Sequence, residues 1–350
     1  MTEEHVVRFE PVGIEITVRE DQTILRAAAE QGVQLMHGCK EGQCSACKSF
    51  ILEGEDVEHD KYSTFALPDY EKDEGMTLLC RAHAYEDLVI ELMQYDEEII
   101  RSGLPLRQGS AEVVAITPVT HDLRHLVLRL EPGLDLKYFP GQYLDITVPG
   151  TDEHRSFSMA NPPSRDGTVD FIIKVYPDGL FSQYLDNQMQ VGDQVEVEGP
   201  FGTFTLRENR TGDLVFLAGG AGLAPVLALL RSMAERKIER KAVFYYGVRT
   251  RRDLCFEDDL HALEDQIPGF RYVPALSEPE GQDWDGETGL ITEVVRRNEG
   301  SLVGRDAYLC GPPPMVEAAI PLLTELGVPQ TDIFYDKFTT TGDSGSEDGS

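Results

Sequence analysis

The stretch "GCKEGQCSAC", residues 38–47, holds three of the six cysteines in a chain of 350 residues. Cys39, Cys44 and Cys47 follow one another as Cys-x4-Cys-x2-Cys, and Cys80 comes later as a fourth. No histidine interrupts the run. Gly38, Gly42, Ser45 and Ala46 are small, so a loop built from them can turn its backbone N–H groups toward the sulfurs.

That spacing matches the plant-type [2Fe–2S] pattern. Four thiolates around two irons and two sulfides leave a group that is still negative, and N–H donors aimed at the sulfurs offset that charge. A four-cysteine zinc site is the alternative. It usually shows two Cys-x2-Cys knuckles, and Cys80 has no second cysteine beside it. Disulfides are disfavoured, because the first twenty residues carry five acids and no apolar run of the secretory kind. Cys255 and Cys310 stand apart from the set.

Residues 5–19, "HVVRFEPVGIEITVR", predict two short alternating strands joined at residues 11–13. "DQTILRAAAEQGV" predicts a helix opened by Asp21 or Thr23 and stopped by Gly32. "SFILEGE" is a strand, and in "GMTLLCRAHAYEDLVIEL" Cys80 precedes the last one. A different pattern starts near residue 108, where six strand candidates separated by turns predict a small antiparallel barrel: "AEVVAITPV", "LRHLVLRL", "QYLDITV", "HRSFSMA", "TVDFIIKVY" and "DQVEVEGP". From residue 213 strands and helices alternate, which predicts a parallel sheet covered on both faces. The chain thus divides into modules at 1–102, 108–208 and 212–340, with a small, acidic tail at 341–350 expected to be disordered.

The formal charge is −31, and residues 1–102 carry nine Lys/Arg against twenty-three Asp/Glu. Such a surface repels nucleic acid and anionic membrane and either steers a basic partner or keeps the protein soluble. The longest uncharged stretch, residues 214–230, is broken by glycines and a proline and is too short to span a bilayer. A cytoplasmic location is expected.

"RSFS", residues 155–158, resembles the Arg-x-Tyr-Ser element of the ferredoxin–NADP reductase superfamily, with Phe157 in place of tyrosine. The resemblance implies that Arg155 pairs with the FAD pyrophosphate, that Phe157 packs there, and that Ser158 lies at the reactive flavin edge. "KVYPDGLFSQYL" resembles the second FAD element and implies Lys174, Val175, Gly179, Leu180 and Ser182; "PGQYLDI" and "GPFGTF" resemble flanking segments. "LAGGAGLAP" puts Gly219, Gly220 and Gly222 between strand and helix, suited to a pyrophosphate. With "CGPPPM" it resembles the same superfamily's nicotinamide module. The resemblance implies Gly311 and Pro312 at the nucleotide and Cys310 by the nicotinamide; as a bare residue, Cys310 reads better as a buried small side chain in a tight turn. Arg249, Arg251 and Arg252 leave NADPH open, although family members with a similar segment generally use NADH. "FYDKF" resembles the stretch whose aromatic covers the flavin, implying Phe338, or else a core phenylalanine.

The module order is similar to that of the reductase components of soluble bacterial di-iron monooxygenases, and the run 62–92 resembles the propane monooxygenase branch. This implies a β-grasp ferredoxin domain, an FAD barrel and an NAD-binding α/β domain. It also implies electrons passing from NADH to FAD to [2Fe–2S] and on to a di-iron hydroxylase. Reductases of Rieske aromatic-ring dioxygenases share the order, and a zinc-binding sensory protein on the same fold is the reading from another class. No catalytic triad, zinc-protease motif or di-iron Glu-x-x-His pair is present. His37, His121 and His125 read as surface or packing residues.

Overall fold

The computed structural model describes residues 2–164, 166–279 and 284–338. The tail expected at 341–350 lies outside them. The chain forms two compact units, one running to Arg107 and including Pro200–Thr203, the other from Gln108–Gly199 and Phe204 onward.

The first unit contains β1 (Glu4–Glu10), β2 (Ile14–Arg19), α1 (Ile24–Glu30), β3 (Lys48–Glu53), β4 (Val57–His59), α2 (Asp69–Asp73), β5 (Met76–Leu78), β6 (Ala82–Ala84), β7 (Leu88–Leu92) and α3 (Glu97–Arg101). Its sheet runs β2-β1-β7-β3-β5, with β1 and β7 parallel at the centre. Alternation puts Val7, Phe9, Ile16 and Val18 inside, as a pleated strand with one buried face requires. The first helix covers that face with Ile24, Leu25 and Ala27–Ala29. Thr23 caps it, its hydroxyl accepting from Arg26 N at 3.3 Å, and Gly32 leaves it at φ +75°. A mixed sheet folded over one helix is the β-grasp arrangement.

The second unit opens with β8 (Arg107–Pro118), β9 (Leu123–Leu130), β10 (Tyr143–Thr147), β11 (His154–Ser158), β12 (Thr168–Lys174), α4 (Leu180–Asn187) and β13 (Gln194–Phe201). The six strands pair in the order β11-β10-β13-β8-β9-β12. A bridge between Met159 and Phe171 brings the ends of the sheet together, giving the antiparallel barrel.

The same unit continues with β14 (Leu214–Gly219), α5 (Leu223–Arg236), β15 (Ala242–Val248), α6 (Glu257–Gln266), β16 (Phe270–Leu276), β17 (Glu287–Thr288), α7 (Ile291–Asn298), β18 (Asp306–Gly311), α8 (Pro313–Glu325) and β19 (Ile333–Lys337). The sheet is parallel, β17-β16-β15-β14-β18-β19. Successive residues of β14 serve opposite cores: Leu214, Phe216 and Ala218 face one, Val215 and Leu217 the other. This is why the strand reads as an unbroken apolar run. The first of these cores also takes in Leu123, Ile172 and Phe204 of the barrel. Among the described residues no helix is long and apolar enough to cross a membrane.

Candidate functional site

The cysteine loop leaves α1 and returns to β3 through three left-handed residues, Lys40, Gly42 and Ser45, at φ 58°, 69° and 59°. Two of them are not glycine, a local strain that folds retain chiefly where a ligand is clamped. At Gly42 no side chain fits, since a Cβ would stand 2.6 Å from Tyr62 Cβ. Cys80 sits in the turn between β5 and β6 and is brought to the loop by Leu79 N, which donates to Cys47 O at 3.3 Å.

The four thiols form two pairs. The hydrogen bond with Cys44 holds Cys39 down at about 6 and raises Cys44. The bond with Cys80 lowers Cys47 and raises Cys80. Backbone N–H groups converge on the sulfurs: Glu41 and Gln43 donate to Cys39 Sγ at 3.4 and 3.3 Å, and Cys39 to Cys44 Sγ at 3.3 Å. Ala46 N also serves Cys44, and Gly42 N serves Cys80. No three of the four sulfurs come within 4.8 Å of one another among the described residues. Two pairs fit two irons, whereas a single tetrahedral zinc gathers four sulfurs about one centre. The donor set therefore fits a [2Fe–2S] cluster, with Cys39/Cys44 on one iron and Cys47/Cys80 on the other.

His37 is a packing residue. Its Nδ1 donates to Leu35 O at 2.8 Å and its Nε2 accepts from Gly202 N at 3.2 Å. Gly202 lies in the segment Pro200–Thr203 that belongs to this first unit.

On the barrel, Arg155, Phe157 and Ser158 all lie on β11. Arg155 is half-buried and bound to Glu153 at 2.8 Å, an acidic neighbour the motif did not announce. The Phe157 ring packs on Phe181 with centroids 4.6 Å apart, and Ser158 is buried. Lys174 ends β12 and pairs with Asp122 at 3.2 Å; Val175 N donates to Asp122 O at 2.8 Å. Gly179 caps α4. Ser182 Oγ accepts from Tyr176 N at 3.0 Å, and a Cβ on Gly179 would meet that oxygen at 2.9 Å. The turn therefore leads directly into the first N–H groups of the helix, Leu180 to Ser182, which have no intrahelical partner and suit a phosphate.

In the parallel sheet, β14 and β18 are neighbours, with Ala218 opposite Cys310. The three glycines divide their work. Gly220, at φ +54°, has nothing within 4 Å of where a Cβ would stand, so a ligand can reach its backbone. Gly219 and Gly222 are instead closed by neighbours: a Cβ would meet Met315 Sδ at 2.9 Å and Cys310 O at 2.2 Å. A Cβ on Gly311, at φ +144°, would meet Gly219 N at 3.1 Å, and Pro312 caps α8. Cys310 itself is fully enclosed, and burial pushes its thiol well up. Phe338 is half-buried against the core and donates its N–H to Gly311 O at 2.9 Å, which fixes it at this turn.

Sequence reasoning missed Asp336. The segment "FYDKF" was noted for its aromatic, but it forms the edge strand β19, where Asp336 stands opposite Cys310. The residue keeps some exposed surface, yet protein packed about its carboxyl desolvates it and pushes it up to about 7. His121 is exposed, as its surface reading has it, and lies 3.4 Å from Asp253. With Asp122 it makes a cluster of metal-ligand type, but Arg249, at 3.7 and 3.8 Å, and Lys174 already supply the positive charge there. Arg251 and Arg252 are exposed.

A paired-thiol loop, a barrel with a phosphate-ready helix start and a nucleotide turn define an iron–sulfur flavoprotein oxidoreductase. Three family models match in that order: a 2Fe-2S iron-sulfur cluster binding domain over residues 7–85, an oxidoreductase FAD-binding domain over 110–206 and an oxidoreductase NAD-binding domain over 216–320. The reductase component of propane 2-monooxygenase from Mycolicibacterium smegmatis is 48% identical, covering 97% of this chain and 99% of its own. The reductase component of phenol 2-monooxygenase from a Pseudomonas species is 36% identical, covering 97% and 96%. An Amycolatopsis cytochrome P450 reductase superimposes with a TM-score of 0.86 at 30% identity, over 96% of this chain and 99% of that one. The chain belongs to the reductase components of multicomponent monooxygenases, within the ferredoxin–NADP reductase superfamily, and its cofactors are a [2Fe–2S] cluster, FAD and NADH.

Proposed function

We propose that this reductase delivers electrons from NADH to the di-iron hydroxylase of a hydrocarbon-oxidising monooxygenase, with propane as the substrate class. The observation that carries it is the end-to-end likeness to a propane 2-monooxygenase reductase component, with the paired cysteines as the exit. In this reading the modules are residues 1–102, 108–208 and 212–340. Bound FAD accepts hydride from NADH and releases electrons one at a time, which the cluster requires.

The chain's residues hold and shield. Arg155 and the α4 N–H groups at Leu180 and Ser182 bind the FAD phosphates, with Gly179, Lys174 and Val175 shaping that edge. Phe157 packs there, and Ser158 orients the reactive edge. Gly219, Gly220, Gly222, Gly311 and Pro312 seat NADH, Cys310 backs the nicotinamide site, and Phe338 covers the flavin ring. Arg249 spends its charge on Asp122 and Asp253, which removes one of the three candidate 2′-phosphate cations while Arg251 and Arg252 stay exposed; the preference for NADH rests on the family likeness.

The test is reconstitution with a purified propane-oxidising di-iron hydroxylase, NADH and oxygen. Hydroxylated product in step with NADH consumption is expected. Product only with a Rieske oxygenase would overturn the partner, and a colourless protein holding one zinc would overturn the electron path.

Asp336 gives a pH prediction. Asp336 stands opposite Cys310, so its carboxylate form would favour the positive charge that a nicotinamide seated there gains on giving up hydride, and the protonated form would not. Flavin reduction by NADH is expected to rise with pH through about 7, by about fivefold for about 1 kcal/mol of charge stabilisation. Asp336→Asn should flatten the profile, as rapid-mixing measurements across the neutral range would show. An unchanged profile in the variant would refute the assignment.

A further inference from the structure

The turn at residues 62–66 is bonded to the cysteine loop at two points. Ser63 N donates to Gly42 O at 3.0 Å, and Ser45 Oγ donates to Ala66 O, also at 3.0 Å. Ala66 and Leu67 are buried and both send their N–H groups back to Ser63 O, so the turn is held rigidly. At its apex Phe65 is 84% exposed, the highest among the exposed large hydrophobic residues. Tyr70, on α2 just after the turn, is 63% exposed.

Folding gains nothing from a phenylalanine held in water, since its ring stabilises only where it is buried. Its surroundings say what covers it. Residues 53–74 carry nine carboxylates against two lysines, and Asp60, Asp69, Asp73 and Glu74 are all exposed. An exposed aromatic apex in a segment with nine carboxylates against two lysines has the make-up of an interface centre beside a mostly acidic rim. It also stands on a turn hydrogen-bonded to the loop that carries Cys39, Cys44 and Cys47.

We infer that Phe65 is the docking anchor of this reductase, seated with Tyr70 in an apolar socket rimmed by Lys and Arg on the oxygenase component. The inference rests on the proposed function and names the surface through which it acts. The carboxylates set the rate of encounter and its salt dependence; the ring sets how long the complex lasts.

The experiment titrates the full-length holoprotein against the purified propane-oxidising di-iron hydroxylase, reading affinity by calorimetry and turnover in parallel. Phe65→Ala is expected to weaken binding at least about tenfold, as hot-spot aromatics do, and to raise the reductase concentration needed for half-maximal turnover in proportion. NADH-driven ferricyanide reduction should stay unchanged. Binding of wild type should weaken steeply with salt. Val303→Ala, a residue 74% exposed on the other unit, should alter nothing. Wild-type affinity in Phe65→Ala with intact coupling to the hydroxylase would overturn the anchor and spare the function. Absence of binding and coupling in wild type would overturn the function and the anchor with it.

Discussion

Cys44→Ser is expected to abolish electron delivery to the hydroxylase while NADH-driven ferricyanide reduction continues at nearly the wild-type rate. Cys44 is one half of the Cys39/Cys44 pair, and its sulfur receives the N–H groups of Cys39 and Ala46. A serine oxygen is shorter and harder and leaves those donors without their acceptor. Losing a partner that merely supports a metal ligand costs about 10–100-fold, so losing a ligand should cost coupled turnover at least about 100-fold. The FAD-binding and NAD-binding segments lie at 110–206 and 216–320, all but Pro200–Thr203 outside the unit that holds the cysteines, and need no cluster to pass electrons to a small soluble oxidant. The variant should remain yellow and lose the broad iron–sulfur absorption. Loss of ferricyanide reduction in folded, FAD-loaded variant would reverse the order of transfer. Retained coupled turnover would remove the cluster from the path.

The cysteine set was legible because ligands on one loop must recur at fixed offsets, whatever the rest of the chain does. The six barrel strands and the parallel strands were legible for a similarly local reason, since burial of one face or of two leaves its own period in the sequence. What stayed hidden depends on contacts between distant residues. Gly219, Gly220 and Gly222 read as one motif, yet only Gly220 opens toward free space while the other two are closed by Met315 and Cys310. Asp336 sits on an edge strand of mixed exposure, so no periodicity marked it. Its raised titration comes from enclosure, which sequence does not display. His121 read as a surface or packing residue and is exposed, but its partner Asp253, in another module, was not legible. The exposure of Phe65, between Thr64 and the buried Ala66, left no mark in the sequence.

Gly222→Ala should remove most NADH-dependent activity from a protein that still carries FAD and cluster. At φ −60° the glycine is not there for a left-handed turn; it is there because β18 runs directly behind it. An added methyl would stand 2.2 Å from Cys310 O and 2.6 Å from Cys310 C. These are backbone atoms of a central strand hydrogen-bonded on both sides, so they cannot yield as a flexible side chain would. The glycine turn must move instead, carrying Gly220 with it. Overpacking of this kind costs about 1–3 kcal/mol of stability. A misplacement near 1 Å of a cofactor seat can cost about 100-fold in rate, and the rate is therefore the larger loss. Gly220→Ala is the contrasting variant. Nothing lies within 4 Å of its Cβ position, so the cost to the fold is only that of the left-handed conformation, about 1–2 kcal/mol, while the added methyl intrudes on the nucleotide alone. Thermal melts should rank Gly222→Ala below Gly220→Ala, whereas rapid-mixing flavin reduction by NADH should be impaired in both. Normal hydride transfer in Gly222→Ala would mean that the turn does not seat the nucleotide.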